Sequence, residues 1–405
     1  MSEKRRDTKG RILHEGEYQE KDGSYTYRFT DRNKKRKKLT SWRLTEADVT
    51  PSGKKHKKSL REQEKELQVL LYKGVYNDGT NVCELVERYI ETKTSVSHNT
   101  RAMYKTVQRM LANDPFGRKT IDKIKFSDAK LFLIGLQTAG RSFSSIHNIR
   151  SVLRPAFQMA VEDELLPYNP FSFELSKILI NDSVQRQSLT SKQERDFLQF
   201  VKNDQHFCKY YEGIYILFKT GIRISEFCGL TISDIDFKEH TLNIDHQLHR
   251  TQEGVYIIVP TKTNAGTRLL PIKKDVEECF RSIFDNRIAP KTEPMVDGRI
   301  GFLYLDKNNM PMISMHWEKY FQHICQKYNK IYKVQMPKVT PHVCRHTYCT
   351  NMVKSGISAK TLQYLMGHSS IEVTLNVYTH IGYSHAKEEI NKLEDDSISN
   401  AKKAR

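Results

Sequence analysis

The chain has 405 residues, with 66 Lys and Arg against 48 Asp and Glu, a formal net charge of +18 and a pI near 9.4. That length suits two or three domains, and the charge asks for a polyanionic partner, nucleic acid or an anionic membrane surface. No apolar run approaches the roughly 18 residues that span a bilayer, and the start MSEKRRDTKGR holds no apolar stretch for a signal peptide, so a cytoplasmic protein is expected.

Residues 1–73 carry 21 Lys and Arg against 12 Asp and Glu, a net +9 that is half the surplus; this segment reads as a nucleic-acid module. Tyr25, Tyr27 and Phe29 alternate with Ser24, Thr26, Arg28 and Thr30, the period of two of a half-buried strand. A second strand is expected around Leu39–Leu44, and Ser59 with Glu62 makes a capping-box pattern ahead of Leu60, Leu67, Leu70 and Leu71, so a helix should follow and cover the sheet. Two basic runs, Lys34, Lys35, Arg36, Lys37 and Lys38 and then Lys54, Lys55, Lys57 and Lys58, flank the strand expected to hold Trp42. Such runs are usually solvated turns. Paired beside an aromatic residue, with Arg28 on the polar side of the first strand, they favour contact with DNA.

Tyr72–Thr80 has the composition of a linker. After it, Val82, Leu85, Val86, Tyr89 and Ile90, and again Met103, Tyr104, Val107, Met110 and Leu111, fall at helical spacing. Further helices are expected over Ser127–Thr138 and Ser142–Asp163, giving an all-α, basic second domain. Ser176–Ser188 reads as a second linker, and Thr190 with Gln193 caps the next helix. Beyond Leu189 helices are expected over 190–203 and 207–219, then short strands at Thr241–Asp245, Tyr256–Pro260 and Arg268–Ile272, with Thr263 to Gly266 as the hairpin turn between the last two, beside Lys262. Helices follow to the end, where the tail after Lys392 frays. The fold class is thus multidomain α+β: a small N-terminal β-sheet plus helix, an all-α domain, and a mixed, mainly α domain with a small antiparallel sheet.

Four segments hold the parts needed to handle a phosphodiester: TGIRISEFCGL (220–230), PTKTNAGTR (260–268), TPHVCRHT (340–347) and LMGHSSIEVTLNVYTH (365–380). Cutting DNA without water takes a nucleophile, cations on the non-bridging oxygens and an acid for the leaving 5′ oxygen. Arg223 and Arg345 offer permanently charged planar forks matched to phosphate. On a helix over 341–355, His342, Arg345 and His346 share one face. A His pair four apart can hold zinc, but the intervening Arg345 and the lack of an HExxH glutamate favour an anion site. The seven cysteines (Cys83, Cys208, Cys228, Cys279, Cys325, Cys344, Cys349) form no CxxC pair, against a zinc ribbon or disulfide framework. Glu226 is either a helix-face carboxylate or a partner for Arg223; Lys262 is either a surface lysine or a group reaching a DNA oxygen. Tyr378, taken alone, is more often packing than a nucleophile.

In combination, the ordered Arg, Lys, His-x-x-Arg, His and Tyr resemble the signature of the tyrosine recombinase, or phage integrase, family. The resemblance assigns Arg223 with supporting Glu226, Lys262, His342, Arg345, His368 and the nucleophile Tyr378. Cys344 and Met366 stand where the family has leucine, both packing positions. It implies an arm-type DNA-binding domain over 1–73, similar to that of conjugative-transposon integrases, a core-DNA-binding domain over 80–178 and a catalytic domain over 189–396. It implies a 3′-phosphotyrosine intermediate, no cofactor or metal, and integration and excision of a mobile element. The implied partners are double-stranded DNA at core and arm sites, three further copies in a DNA-assembled tetramer, an excisionase-like factor and a host DNA-bending protein. The tail around Ala386–Leu393 packs in cis or on a neighbouring protomer. A type IB topoisomerase would share the chemistry, and a non-catalytic DNA-binding regulator would share the charge; the N-terminal module disfavours the first and the complete catalytic set the second.

Overall fold

The computed structural model describes residues 5–30, 36–72, 79–183, 187–251, 253–288 and 290–379. The chain divides into two compact units, Met1–Val184 and Gln185–Arg405.

In the first unit, the alternating aromatics form strand β2 (Tyr25–Thr30), flanked antiparallel by β1 (Glu17–Gln19) and β3 (Arg36–Ser41). Tyr25 is buried with Leu44 and Leu60 beneath the sheet, and Leu13, Tyr27 and Leu39 pack on that cluster. Helix α1 (Leu60–Tyr72) starts as its capping pattern predicts: the Ser59 amide donates to Glu62 Oε2 at 2.7 Å. The second strand begins and ends three residues earlier than the hydrophobic run suggested. Register with β2, Thr30 opposite Arg36 and Arg28 opposite Lys38, draws the basic residues into the ladder. Trp42 therefore lies just beyond the strand, not in it.

A second cluster of buried residues in this unit is helical. It is built by α2 (Val82–Glu91), α3 (His98–Ala112), α4 (Phe126–Thr138) and α5 (Phe143–Glu162), around Leu85, Leu133, Phe157 and Phe171. Asn81 and Glu84 cap α2 reciprocally, each side chain accepting from the other's amide at 3.0 Å, which satisfies two of the four orphan donors at a helix start.

The second unit begins with α6 (Ser191–Asn203), capped by Thr190 and Gln193 as expected. It continues through α7 (Tyr211–Thr220) and α8 (Ile224–Gly229) to short strands β4 (Ile235–Asp236), β5 (Thr241–Ile244), β6 (His246–Arg250), β7 (Tyr256–Pro260) and β8 (Arg268–Pro271). Helices α9 (Lys274–Asn286), α10 (Ser314–Ile331), α11 (Pro341–Lys354), α12 (Ala359–Met366) and α13 (Ile371–Thr379) follow. The core centres on Trp317, fully buried between Phe227 and Tyr304 with ring centroids 5.1 and 5.0 Å away.

Strand pairing differs from the expected hairpin around Thr263–Gly266. β7 and β8 do not pair with each other: β8 pairs with β5 and β7 with β6, in two small sheets. The hairpin end is the tighter Thr251–Val255 link, where the Thr251 amide donates to the Val255 carbonyl at 2.8 Å. Residues 261–267 are instead an excursion opposite Asp245, with a 3₁₀ turn at Asn264–Gly266. β6 went unread because HQLHR has no apolar alternation. All seven cysteines are free thiols. Among the described residues no helix is long and apolar enough to cross a membrane.

Candidate active site

Two helix C-termini and one N-terminus converge on the arginines. α7 ends at Gly221 (φ 64°) and α12 at Gly367 (φ 61°), both in the left-handed conformation that glycine adopts without strain. A Cβ on Gly221 would lie 2.3 Å from Tyr348 Cδ1, so no other residue fits. These ends present carbonyls, the negative pole of a helix, to cations. Arg345 Nη1 donates to the Gly221 carbonyl at 2.7 Å and its Nη2 to Met366, while Arg223 Nη2 donates to Gly367 at 2.8 Å. Arg223 is also the N-cap of α8, where Glu226 accepts from its amide at 2.9 Å and from its Nη1 at 2.6 Å.

A third guanidinium, Arg268, was not singled out from the sequence. Its Nη2 lies 3.1 Å from Glu226 Oε2, and it donates to the carbonyls of Leu365 (2.9 Å) and Gly266 (2.7 Å). The available signal was its position at the head of the strand RLLP, where alternation points it inward with Leu270. Arg223 and Arg268 thus share the Glu226 carboxylate while Arg345 is held by carbonyls, and three guanidiniums against one carboxylate leave net positive charge for an anion. Burial alone would raise the Glu226 pKa, but Arg268 and then Arg223 hold it below the ordinary carboxylate range. Burial and then Arg223 push Arg345 down to about 9, still cationic at neutral pH.

His368 follows Gly367 directly. Its Nδ1 lies 3.0 Å from Thr374 Oγ1, a fully buried hydroxyl of α13. Burial, then Arg345, Arg223, Arg268 and His342, depress its pKa to about 4, so the ring is neutral at pH 7. His342 is exposed at the start of α11, whose cap is Thr340 Oγ1 accepting from Val343 at 3.2 Å. His346 Nδ1 lies 3.5 Å from Thr350 Oγ1.

Tyr378 sits on α13, its ring packed on Cys349, Val353, Leu362 and Met366. The hydroxyl donates to the Ile357 carbonyl at 2.6 Å, and burial raises its pKa. The phenol is thus held by a backbone acceptor in the DNA-free chain. Lys262 is exposed in the 261–267 excursion, whose Gly266 carbonyl binds Arg268.

Of the N-terminal candidates, Arg28, Arg36 and Lys38 are exposed on one face of the sheet, and Lys37 is half-buried on the other. Lys54 Nζ lies 4.5 Å over the Trp42 ring, and Lys55 is exposed. Lys34 and Lys35, and the tail at Ala386–Leu393, lie outside the described residues. α5 carries a further polar row that no motif in the sequence marks: His147, Ser151, Arg154 and Gln158 are exposed at helical spacing, lining an open groove with Arg150, so that two arginines face it.

Among the described residues two His and carboxylate groups have metal-ligand spacing: His14, Glu17 and Glu64, and Asp234, Asp245 and His246. Neither includes an arginine-site residue, and Arg61 and Arg299 already bond their carboxylates.

Residues 187–385 match the family model described as the phage integrase family, and residues 1–71 the model for the DNA binding domain of Tn916 integrase. The chain is 39% identical over 395 residues to the transposase from transposon Tn1545 of Streptococcus pneumoniae, covering 97% of each chain, and equally to that from Tn916 of Enterococcus faecalis. The ICEBs1 integrase of Bacillus subtilis is 26% identical over 300 residues, 70% of this chain and 74% of that one. Among solved structures, the Tn1549 transposon integrase in complex with a circular-intermediate DNA superposes with a TM-score of 0.73 at 38% identity, over 77% of this chain and 99% of that one. A lambda integrase tetramer bound to a Holliday junction shares the fold, at a TM-score of 0.51 and 18% identity over 89% of this chain and 94% of that one.

Proposed function

Because the chain belongs to the phage integrase family of tyrosine recombinases, and so cuts and rejoins DNA in the site-specific recombination of a mobile element, we propose that Tyr378 is the nucleophile and the three-arginine cluster its phosphate site. The observation that carries this reading is a cluster of three guanidiniums with a single carboxylate among them, Arg223 bonding the carbonyl of Gly367 just before the neutral His368, and Tyr378 on the helix that follows.

Tyr378 Oη attacks the scissile phosphorus; the Oη–P bond forms and the P–O5′ bond breaks. Arg223 and Arg345 hold the non-bridging oxygens as charge grows on the phosphorane, a preorganised site that needs no rearrangement during reaction. Arg268 acts through Glu226, keeping Arg223 aimed. Neutral His368, steadied at Nδ1 by Thr374, offers Nε2 to the phenol proton or a phosphate oxygen, with His342 beside it. Lys262 delivers a proton to the leaving 5′ oxygen. The ester keeps the bond energy, so the 5′ hydroxyl of a partner strand reverses the step without a nucleotide. Before attack Tyr378 must release the Ile357 carbonyl, a rotation coupled to DNA binding.

The domain layout we propose is an arm-site domain over 1–73, a core-site domain over 80–178 that presents the α5 row to DNA, and a catalytic domain over 189–396. Exchanging four strands takes four sites, so the working form is a tetramer on DNA, with an excisionase-like factor and a host bending protein setting direction, in the cytoplasm. Trapping on a nicked suicide substrate tests the central step. A covalent adduct lost in Tyr378→Phe supports it, and an adduct that survives the substitution assigns the nucleophile elsewhere.

A further inference from the structure

The ribbon that carries Lys262 is broken once. β5 pairs with β8 as far as Ile244 opposite Arg268, and β6 pairs with β7 from His246 opposite Pro260. Asp245 alone therefore faces the whole of 261–267, and Lys262 lies two residues into that excursion. Its far end is fixed by Arg268 on Glu226. Its near end is fixed by the Asp245 carbonyl, which accepts from the Thr261 amide at 3.3 Å.

His246 is 4% exposed and bonded at both ring nitrogens. Nε2 lies 2.7 Å from the carbonyl of Gly229, the last residue of α8, and Nδ1 against a carboxylate oxygen of Asp245. Both partners are acceptors: the Gly229 carbonyl, and the Asp245 carboxyl, which His246 and Arg299 hold below its ordinary range although burial alone would raise it. Arg299 bonds Asp234 at 3.1 Å and Asp245 at 3.3 Å, so it braces the same carboxylate that holds His246. The neighbouring Gln247 repeats the link on the other side of β6, accepting from Ser225 of α8 at 2.8 Å and donating to Pro260 at 3.4 Å.

We propose that His246, held by Asp245, is a positioning residue for Lys262: by gripping the end of α8 it fixes the lysine excursion relative to Arg223 and Glu226 at the start of the same helix. The inference rests on the reading of Lys262 as the acid for the leaving oxygen. A lysine on a long exposed excursion delivers its proton only if the base of that excursion is rigid, and here both ends of the excursion tie to one helix.

Single-turnover cleavage of a suicide substrate by the full-length protein tests this, with either the ordinary 5′ oxygen or sulfur in the bridging position. A 5′ thiolate leaves without a proton, so the sulfur substrate bypasses the acid. His246→Asn and Asp245→Asn, with Lys262→Ala alongside, are expected to slow the oxygen substrate by about tenfold or more, part of the roughly 10²–10⁴ that a general acid supplies, and to cleave the sulfur substrate near the wild-type rate. Asp245→Asn keeps shape at a partly exposed position and so serves if His246→Asn fails to fold. Equal loss on both substrates, no loss on either, or failure of both variants to fold and bind DNA would each overturn positioning, the first and third in favour of a purely structural role. If Lys262→Ala itself is not rescued by sulfur, it is the acid assignment that falls.

Discussion

Arg268 and Glu226 form an ion pair, Nη2 to Oε2 at 3.1 Å, in which neither side chain is exposed. Glu226 bonds Arg223 with its other oxygen, so the pair links the strand after the Lys262 excursion to the arginine proposed to meet the phosphate. Removing one partner of a buried pair leaves an unmatched charge, at a cost of about 3–5 kcal/mol. Arg268→Met is therefore expected to lower the unfolding free energy of the full chain, read from urea titration, by an amount in that range and to slow cleavage, whereas Arg268→Lys keeps the charge but loses the carbonyls of Leu365 and Gly266 and falls between. A midpoint unchanged in Arg268→Met would mean that Arg223 alone satisfies Glu226.

Tyr378→Phe removes the oxygen proposed as nucleophile and the bond to Ile357 together. One such hydrogen bond is worth about 1 kcal/mol net, so the variant is expected to fold and bind DNA with wild-type affinity while forming no SDS-stable adduct. Denaturing gels and gel shifts on the same samples separate the two. A large drop in stability would show that the Ile357 hydrogen bond is a structural tie, not a resting place.

Arg223, Glu226, Arg345, His368 and Tyr378 could be singled out as candidates because they stand in short ordered segments around glycine-ended helices. Arg268 could not, since its role depends on a cross-strand register that brings residue 268 beside 226 and 365, and nothing local reports such pairing. The capping pairs Ser59 with Glu62 and Thr190 with Gln193 were readable because both halves lie within one turn. The hairpin at 263–266 was misread for the opposite reason: turn-forming residues mark a chain reversal or an excursion equally well, and only the pairing of β5 with β8 distinguishes them. The basic β3 was blurred because lysine and arginine are poor strand formers that the ladder with β2 overrides.

His368 makes the fold acid-sensitive. Unfolded, a histidine titrates near about 6.5; folded, burial and the arginines hold His368 at about 4. Between those values the unfolded chain binds a proton that the folded chain does not, so stability falls as pH drops through that window and is flat in this group above it. Each pKa unit is worth about 1.4 kcal/mol, so His368→Asn is expected to flatten the acid limb measurably between pH 7 and pH 5 in urea unfolding. Identical slopes in both proteins would place the acid sensitivity in other groups.

The open face of the N-terminal sheet carries Arg28 opposite Lys38, with Arg36 two pairs further along, on the same face. Side chains on alternate positions of paired strands stand side by side, so these three form one cationic surface the width of a strand pair, suited to lie in a groove of DNA. Cations paired with phosphates set the salt slope, whereas hydrogen bonds to base edges set sequence preference. Replacing all three by alanine is expected to weaken arm-site binding and flatten the plot of log K against log salt by about 0.9 for each phosphate no longer neutralised. Cleavage of a suicide substrate that contains only the core site should continue, because none of the arginine cluster is touched. Filter binding on arm-site DNA across a salt series gives the slope directly: an unchanged slope with weaker binding would mean that the three side chains read bases, and unchanged binding would move the interface off the sheet.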